Sequence, residues 1–259
     1  MTERSLSDIR VEICLSGVES AIEAERGGAD RVELCENLRE GGTTPSYGTI
    51  AVARDRVRIG LFVLVRPRPG DFTYSEQEIE VMLRDIEAAR NLGADGVVVG
   101  VLTPEGDVDV ERMRALVAAA RPLEVTFHRA FDRVRDPFAT LEQLAEIGVD
   151  RILTSGQETT APLGVHEIRK LVERSADRVV ILPGGGVGLE NVAALLRESG
   201  AREVHVGSST QESFASTAKS SGRAGLGPGG AATDERIVRT SAERVRAVVE
   251  AARRAFTVG

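Results

Sequence analysis

The sequence predicts one α/β domain over residues 1–259, a (β/α)8 TIM barrel. Short apolar strands alternate with amphipathic helical segments eight times along the chain. Four helix ends pass into the next strand through a glycine, at Gly28, Gly93, Gly148 and Gly200, with spacings of 65, 55 and 52 residues that suit two strand-helix units each. Eight right-handed crossovers of this length close most naturally into a barrel. A doubly wound open sheet is the alternative, but the glycine-rich turn expected after its first strand is missing.

The predicted elements follow one another without a second domain. Strands are expected at 30–35 and 57–66 after a first strand at 11–14, and then at 96–102, 123–129, 151–155, 178–182 and 203–207. Helices are expected at 16–27, 46–54, 75–92, 109–120, 136–147, 163–174, 189–199 and 241–255. Two of them begin with the pattern of a capping box, Ser16 with Glu19 and Ser75 with Glu78. A Ser/Gly/Ala-rich segment at about 208–239 is predicted to be a flexible part of the β8-α8 connection, either a disordered loop or a lid.

Composition excludes several classes of function. A net charge of −7 and 3% aromatic residues are atypical of a nucleic-acid-binding surface. The amino terminus is polar and no apolar run approaches the roughly 20 residues of a membrane span, so we expect a cytoplasmic protein without a membrane partner. Two cysteines do not make a disulfide scaffold, and in a reducing compartment they are expected to be free thiols.

The first two strands carry nearly the same tetrapeptide, Val-Glu-Ile-Cys at 11–14 and Val-Glu-Leu-Cys at 32–35. Side chains alternate along a strand, so Glu12 shares a face with Cys14, and Glu33 with Cys35. In a parallel sheet covered on both sides, an acidic side chain is buried, so it requires an ion-pair or hydrogen-bond partner or a functional role. We therefore expect the functional site around these two strands.

The carboxyl ends of the strands supply the other candidates, because active sites of such barrels lie at that end. We assign possible catalytic roles to residues that could transfer protons or neutralise an anion: Glu12, Glu33, Arg66, His128 and Asp132. Structural ion pairs inside the barrel are the alternative, of equal weight for Glu12. His205 is interpreted as a hydrogen-bonded core residue.

An anion site is predicted where the last two strands end. Backbone N–H groups of glycine turns in these loops often hold phosphate in barrels, although a tight turn alone is the alternative. The candidates are Gly184, Gly185, Gly186, Gly207 and Ser208, with Arg68 and Arg129 as cationic partners.

The two thiols could form a metal site of their own. Cys14 and Cys35 occupy equivalent places on adjacent strands, whose axes lie about 4.8 Å apart. Two thiolates can suffice for Cu(I), whereas zinc would require about four ligands. The alternative is that both cysteines are only packed in the core.

Six sequence blocks together resemble the CutC family. They are 11–14, Val-Glu-Leu-Cys-Glu-Asn at 32–37, Val-Arg-Pro-Arg-Pro-Gly-Asp-Phe at 65–72, Thr-Phe-His-Arg-Ala-Phe-Asp at 126–132, Ile-Leu-Thr-Ser-Gly at 152–156 and Leu-Pro-Gly-Gly-Gly at 182–186. The resemblance implies a cytoplasmic barrel with a role in copper homeostasis, a homo-oligomeric state (dimer or tetramer), and copper ligation by Cys14 and Cys35.

Two functions therefore remain open from the sequence. The first is a copper-homeostasis protein that binds Cu(I) through its cysteines. The second is a barrel enzyme that performs acid–base chemistry on a small anionic or phosphorylated compound, with Glu33 or His128 as acid or base and Arg66 and Arg68 as anion clamps. The carboxylates and cations favour the second, and the resemblance favours the first.

Overall fold

The computed structural model describes residues 9–215 and 236–256. The eight barrel strands are β1 Arg10–Ser16, β2 Arg31–Cys35, β3 Gly60–Leu64, β4 Gly96–Val99, β5 Glu124–Phe127, β6 Arg151–Thr154, β7 Val180–Pro183 and β8 Glu203–Val206. The α-helices are α1 Val18–Arg26, α2 Tyr47–Arg56, α3 Glu76–Asn91, α4 Val110–Ala120, α5 Pro137–Ile147, α6 Val165–Ser175, α7 Val192–Ser199 and α8 Ala242–Arg253.

The strands form a parallel barrel. Hydrogen-bonded pairing follows the order β7-β6-β5-β4-β3-β2-β1-β8, and every pair in it is parallel. The ends of this order, β7 and β8, lie in contact and complete the ring. The predicted (β/α)8 architecture is thus confirmed.

Alternation along the strands separates two apolar regions. Outward residues such as Val11, Ile13 and Leu15 are fully buried in one large core between the strands and the helices. A second, smaller set lies inside the barrel, and we call it the inner cluster: Cys35, Phe62, Leu64 and Val98, with Cys14 and Leu38 packed against them. The cysteines therefore lie on the inner face, as the alternation predicted.

The glycines expected at the helix ends occur where the backbone turns left-handed. Gly148 ends α5 with φ 87°, and its N–H donates to the carbonyls of Leu144 and Ala145. Gly28, Gly93 and Gly200 also have positive φ, so the predicted repeat marks a real structural signal.

One predicted capping box is confirmed and the other is wrong. The Ser75 hydroxyl accepts from the Glu78 N–H while the Glu78 carboxylate accepts from the Ser75 N–H. At α1 the N-cap is Gly17, without a side-chain cap. Ser16 instead continues β1 and donates its hydroxyl hydrogen to Glu36, 3.1 Å away, because strand pairing with β2 extends to this residue.

The described part of the β8-α8 connection contains a strand pair that the sequence analysis did not predict. A 3-10 turn at Ser208–Thr210 leads into β9, Gln211–Ala215, which pairs antiparallel with β10, Arg236–Thr240. Composition does not reveal these two strands because the small residues of the segment lie mostly between them in the sequence. The remainder of the predicted flexible segment, 216–235, lies outside the described residues. Within the described ranges, none of the helices is long and apolar enough to cross a membrane.

The capping box of α3 yields a stability prediction. Ser75→Ala removes the side-chain acceptor for the Glu78 N–H, so we expect the free energy of unfolding to fall by about 1 kcal/mol. Urea denaturation measures this difference. Ser75→Thr keeps a hydroxyl acceptor and is the matched control, and equal losses in the two variants would contradict the cap.

Candidate functional site

The two thiols lie side by side inside the barrel. The Sγ atoms of Cys14 and Cys35 are 3.9 Å apart. Their residues are not directly opposite one another, since Cys14 pairs with Glu33 and Cys35 pairs with Ser16. The sequence analysis placed the cysteines at equivalent positions; the stagger of strands in a closed barrel moves Cys35 toward the carboxyl end. Together with a carboxylate oxygen of Glu33, the two sulfurs form a group of potential metal ligands that all lie within 4.8 Å of one another.

Below the thiols, Glu12 is held between two cationic side chains. One carboxylate oxygen lies 2.7 Å from Nδ1 of His205, and the other accepts from Nε of Arg31 at 2.5 Å. The other ring nitrogen of His205, Nε2, is 3.9 Å from Glu33. His205 thus joins the carboxylates of β1 and β2, and its interpretation as a hydrogen-bonded core residue is confirmed.

The electrostatics of this group favour a charged His205. Burial opposes ionisation of Glu12, but Arg31 and then His205 outweigh it and hold the pKa of this carboxyl well below its usual range. Burial also opposes protonation of His205, yet hydrogen bonds with Cys14 and Glu12 raise its pKa well above the usual value. Burial, reinforced by the charge of Cys14, raises the pKa of Glu33. The arrangement therefore stabilises an imidazolium beside an ionised Glu12.

The two thiols differ in acidity. The hydrogen bond with Cys35 is the main reason that the pKa of Cys14 is lowered, against burial and with further help from His205. Burial is the main reason that the pKa of Cys35 is raised, and the hydrogen bond with Cys14 adds to it. Cys14 is thus the more acidic of the two thiols, and a cation bound between the sulfurs can replace a thiol proton.

A buried ion-pair network supports the site from the amino ends of the strands. Glu203 accepts from NH2 of Arg31 and from Nε of Arg151, both at 2.7 Å. Both guanidinium groups also lie over the ring of Phe62, at 4.7 and 5.3 Å from its centroid. These residues were not predicted from the sequence, although Arg31 precedes Glu33 by two positions and Glu203 precedes His205 by two, the spacing that keeps side chains on one face.

Arg66 lies at the mouth and holds the loops that cover Cys35. Its NH1 donates to the carbonyls of Gly42 at 2.7 Å and Glu40 at 3.1 Å, and its NH2 donates to that of Gly70 at 2.8 Å. A Cβ atom at Gly42 would lie 3.7 Å from the Cys35 Sγ, so the backbone there lies directly on the thiol residue. Arg66 therefore connects the backbone of the loop after β2 to that of the loop after β3.

His128 is buried as a neutral ring. Nδ1 accepts from the Ala130 N–H at 3.1 Å, and the ring packs so closely on Gly100 that a Cβ there would lie 2.5 Å from Cε1. Burial, with a smaller contribution from the charge of Arg66, lowers the pKa of His128 to about 3. The hydrogen of the neutral ring is thus on Nε2, and His128 is suited to donate a hydrogen bond.

Asp132 and Arg129 form a separate group near β6 and β7. Asp132 accepts from Arg129 Nε at 2.7 Å, from the Thr154 hydroxyl at 2.6 Å and from the Ser155 N–H at 3.0 Å. This saturated carboxylate ties the loop after β5 to the end of β6. It also directs Arg129 toward Gly185, where a Cβ would lie 3.0 Å from NH1.

The remaining anion candidates lie in the loops after β3, β7 and β8. Arg68 pairs with Glu78 in the first turn of α3 at 2.6 Å and with Asp71 in its own loop at 3.1 Å. Gly184 packs against His205: a Cβ atom added at Gly184 would be 3.0 Å from the Cβ atom of His205. Gly207 lies next to Cys14: a Cβ atom added at Gly207 would be 4.0 Å from the Cβ atom of Cys14. Gly186 has φ 69° in the turn after β7, and Ser208 begins the 3-10 turn after β8. The loops after β7 and β8 meet where Ser209 donates to the Val187 carbonyl at 2.8 Å.

The network at the barrel base yields a prediction for Glu203. Glu203→Gln leaves two buried guanidinium groups short of one negative charge, so we expect a loss of about 3 kcal/mol in the free energy of unfolding. Glu124→Gln is the control, since Glu124 also pairs with Arg151 but its side chain is 49% exposed, and we expect a loss below about 1 kcal/mol. Chemical denaturation compares them, and similar losses in both would contradict a buried network.

The lowered pKa of His128 predicts that the protein loses stability at acid pH. Its folded pKa of about 3 lies below the ordinary value of 6.5, so the unfolded chain binds the extra proton first as pH falls. The neutral ring thus contributes fully above pH 6.5, and up to about 4 kcal/mol is lost by pH 3. Denaturation curves at successive pH values measure the slope. His128→Asn should flatten it, whereas the same change at the exposed His166 should not.

The comparisons with known proteins agree with this architecture. The model of the CutC family matches residues 9–210. The Homo sapiens copper homeostasis protein cutC homolog is 52% identical over 195 residues, which are 75% of this chain and 71% of that protein. A family protein CutC of Chromobacterium violaceum is 48% identical over 93% of this chain and 97% of its own length.

Solved structures give the same result. The crystal structure of the putative copper homeostasis protein CutC from Streptococcus agalactiae superimposes with a TM-score of 0.73 at 35% identity, covering 77% of this chain and 98% of that one. Thiamine phosphate pyrophosphorylase from Pyrococcus furiosus has a TM-score of 0.59 at 17% identity over 97% of this chain and 99% of that one, which shows a shared fold alone. The match to the family model and the identities of 52% and 48% to these two relatives show that this chain belongs to the CutC family.

Proposed function

We propose that this protein acts in copper homeostasis by binding one Cu(I) ion between Cys14 and Cys35. The observation that carries the proposal is the 3.9 Å separation of the two sulfurs inside the barrel. Two metal–thiolate bonds of about 2.3 Å would span about 4.6 Å if they were collinear, so the observed separation favours a bent site with room for a third ligand. The Glu33 carboxylate is the third member of the group of potential ligands.

Charge and softness also support Cu(I). Thiolate sulfur is the ligand that selects Cu(I) over harder ions. A Cu(I) ion on two thiolates leaves one net negative charge. The pKa of His205 is raised, so its imidazole carries a positive charge beside the sulfurs that offsets this negative charge. Zinc takes about four ligands, so on this group of three it would need a solvent molecule as the fourth.

The acid–base enzyme predicted as the alternative has weaker support. The pKa of His128, lowered to about 3, makes this ring a poor proton acceptor near neutral pH. Both carboxylate oxygens of Asp132 already accept hydrogen bonds from neighbouring groups, and Arg68 is paired with Glu78 and Asp71. A cytoplasmic location and a homo-oligomeric state belong to the copper proposal, supported by the family resemblance.

Anaerobic titration of the reduced protein with Cu(I), against a chromophoric Cu(I) chelator, tests the proposal. We expect about one Cu(I) per chain. Cys14→Ser combined with Cys35→Ser should abolish uptake, while Glu33→Gln should weaken it. Since the pKa of Cys35 is raised, binding should release a proton and become tighter as pH increases.

Met113→Leu is the matched control because it removes a buried sulfur from the helix-facing core instead of the inner cluster. Circular dichroism checks that each variant is folded. Undiminished uptake by the folded double-serine variant, or no uptake by the wild type, would refute the cysteine site.

A further inference from the structure

Arg66 is a buried cation without a carboxylate partner among residues 9–215 and 236–256. The residue is 5% exposed, and the three hydrogen bonds of its terminal nitrogens all go to backbone carbonyls. Carbonyl oxygens satisfy N–H groups, but they do not neutralise a charge. An uncompensated charge in the interior is unfavourable unless a counter-ion reaches it.

The other buried arginines show how this chain otherwise treats such charges. Arg31 and Arg151 are 4% and 3% exposed, close to the value for Arg66. Arg31 contacts the carboxylates of Glu12 and Glu203, and Arg151 contacts Glu203. Arg66 therefore differs from its counterparts in the same barrel, and the difference indicates a place for an anion from outside the described chain.

Two buried hydrogen-bond donors without a described partner belong to Arg66 and His128. Nε of Arg66 and Nε2 of His128 are both buried and have no hydrogen-bond partner in the described part of the chain. Nδ1 of His128 accepts from Ala130 and the ring is neutral, so Nε2 carries a hydrogen. An unmatched buried donor costs about 1–3 kcal/mol, so two of them favour an acceptor between or beside them.

Both donors belong to side chains that contact Phe72. The Phe72 ring centroid is 4.7 Å from that of His128 and 5.2 Å from Cζ of Arg66. Phe72 is partly exposed, so it is the member of this group that solvent reaches. The hydroxyl of Tyr74, two residues further along the same loop, is also buried and lies near the charge of Arg66, and no hydrogen bond of normal geometry joins it to the described residues.

We propose that Arg66 and His128 form a binding site for the carboxylate group of a small molecule, which enters past Phe72. The net charge selects the class of ligand: one guanidinium beside a neutral imidazole matches a monoanion, whereas a phosphate dianion would leave a negative charge buried. A carboxylate has two oxygens for two N–H donors, and charge-assisted hydrogen bonds are the stronger kind. The site shares no ligand with the proposed copper site, so each can be present without the other.

NMR of protein labelled with ¹⁵N-histidine tests the site, since the chain has only three histidines. Sodium acetate is the probe, and sodium chloride and sodium sulfate at equal ionic strength are the comparison salts. We expect acetate to produce a saturable shift of the His128 Nε2–H signal that neither comparison salt produces. The absence of a saturable shift, or an equal response to sulfate or chloride, would overturn the proposal.

His128→Asn is the discriminating variant, because the asparagine Oδ1 can accept from the Ala130 N–H as Nδ1 does, while the donor at Nε2 is lost. Acetate should bind this variant about tenfold more weakly, as measured by the rise of its melting temperature with acetate concentration. Unchanged acetate affinity in the folded variant would also overturn the site. Cu(I) uptake by His128→Asn should equal that of the wild type, so the two proposals fail separately. Replacement of Arg66 would also release the loops over Cys35, and is therefore less informative.

Discussion

The interior of this barrel depends on the compensation of buried charge around Glu12. This carboxylate is fully buried, and burial alone would keep it protonated. Arg31 and His205 contact its two oxygens separately, so the carboxylate stays ionised and both cations are held in place. If Glu12 were removed, His205 would lose its hydrogen-bonded carboxylate and Arg31 would keep only Glu203. The positions of the neighbouring strands β2 and β8 are thereby linked through β1.

The charges are stacked in layers along the barrel axis. At the amino ends of the strands, Arg31 and Arg151 share the carboxylate of Glu203, and Glu12 supplies a second negative charge to Arg31. One level higher, His205 connects Glu12 to the level of the thiols. The sulfur atoms thus lie next to a positive charge that is itself anchored from below. A soft cation site needs this support, because two thiolates in an apolar cluster would otherwise repel each other and take up protons.

The sequence predicted the barrel and the inner face correctly because both depend on local periodicity. Alternation in strands fixed the direction of Glu12, Cys14, Glu33 and Cys35, and glycine at the helix ends fixed the number of units. Interactions between distant segments were harder to predict. The partners of Arg31 depend on strand stagger, and the saturation of Asp132 depends on how a loop folds back on β6. Ser16 had the local pattern of a cap, but pairing between strands determined its conformation.

Arg66 separates the two proposed sites and explains why they need not be one. Its terminal nitrogens donate to the carbonyls of Gly42, which lies against Cys35, and of Gly70, while Nε has no hydrogen-bond partner among the described residues. A metal on the sulfurs would lie on the barrel side of this turn, among soft and apolar atoms. A carboxylate would contact Nε of the same guanidinium, near Phe72 and His128. Soft and hard ligands prefer these two environments for different physical reasons, polarisability in one and fixed charge in the other. One barrel can therefore offer a thiolate site and an oxyanion site a short distance apart without either set of side chains serving both.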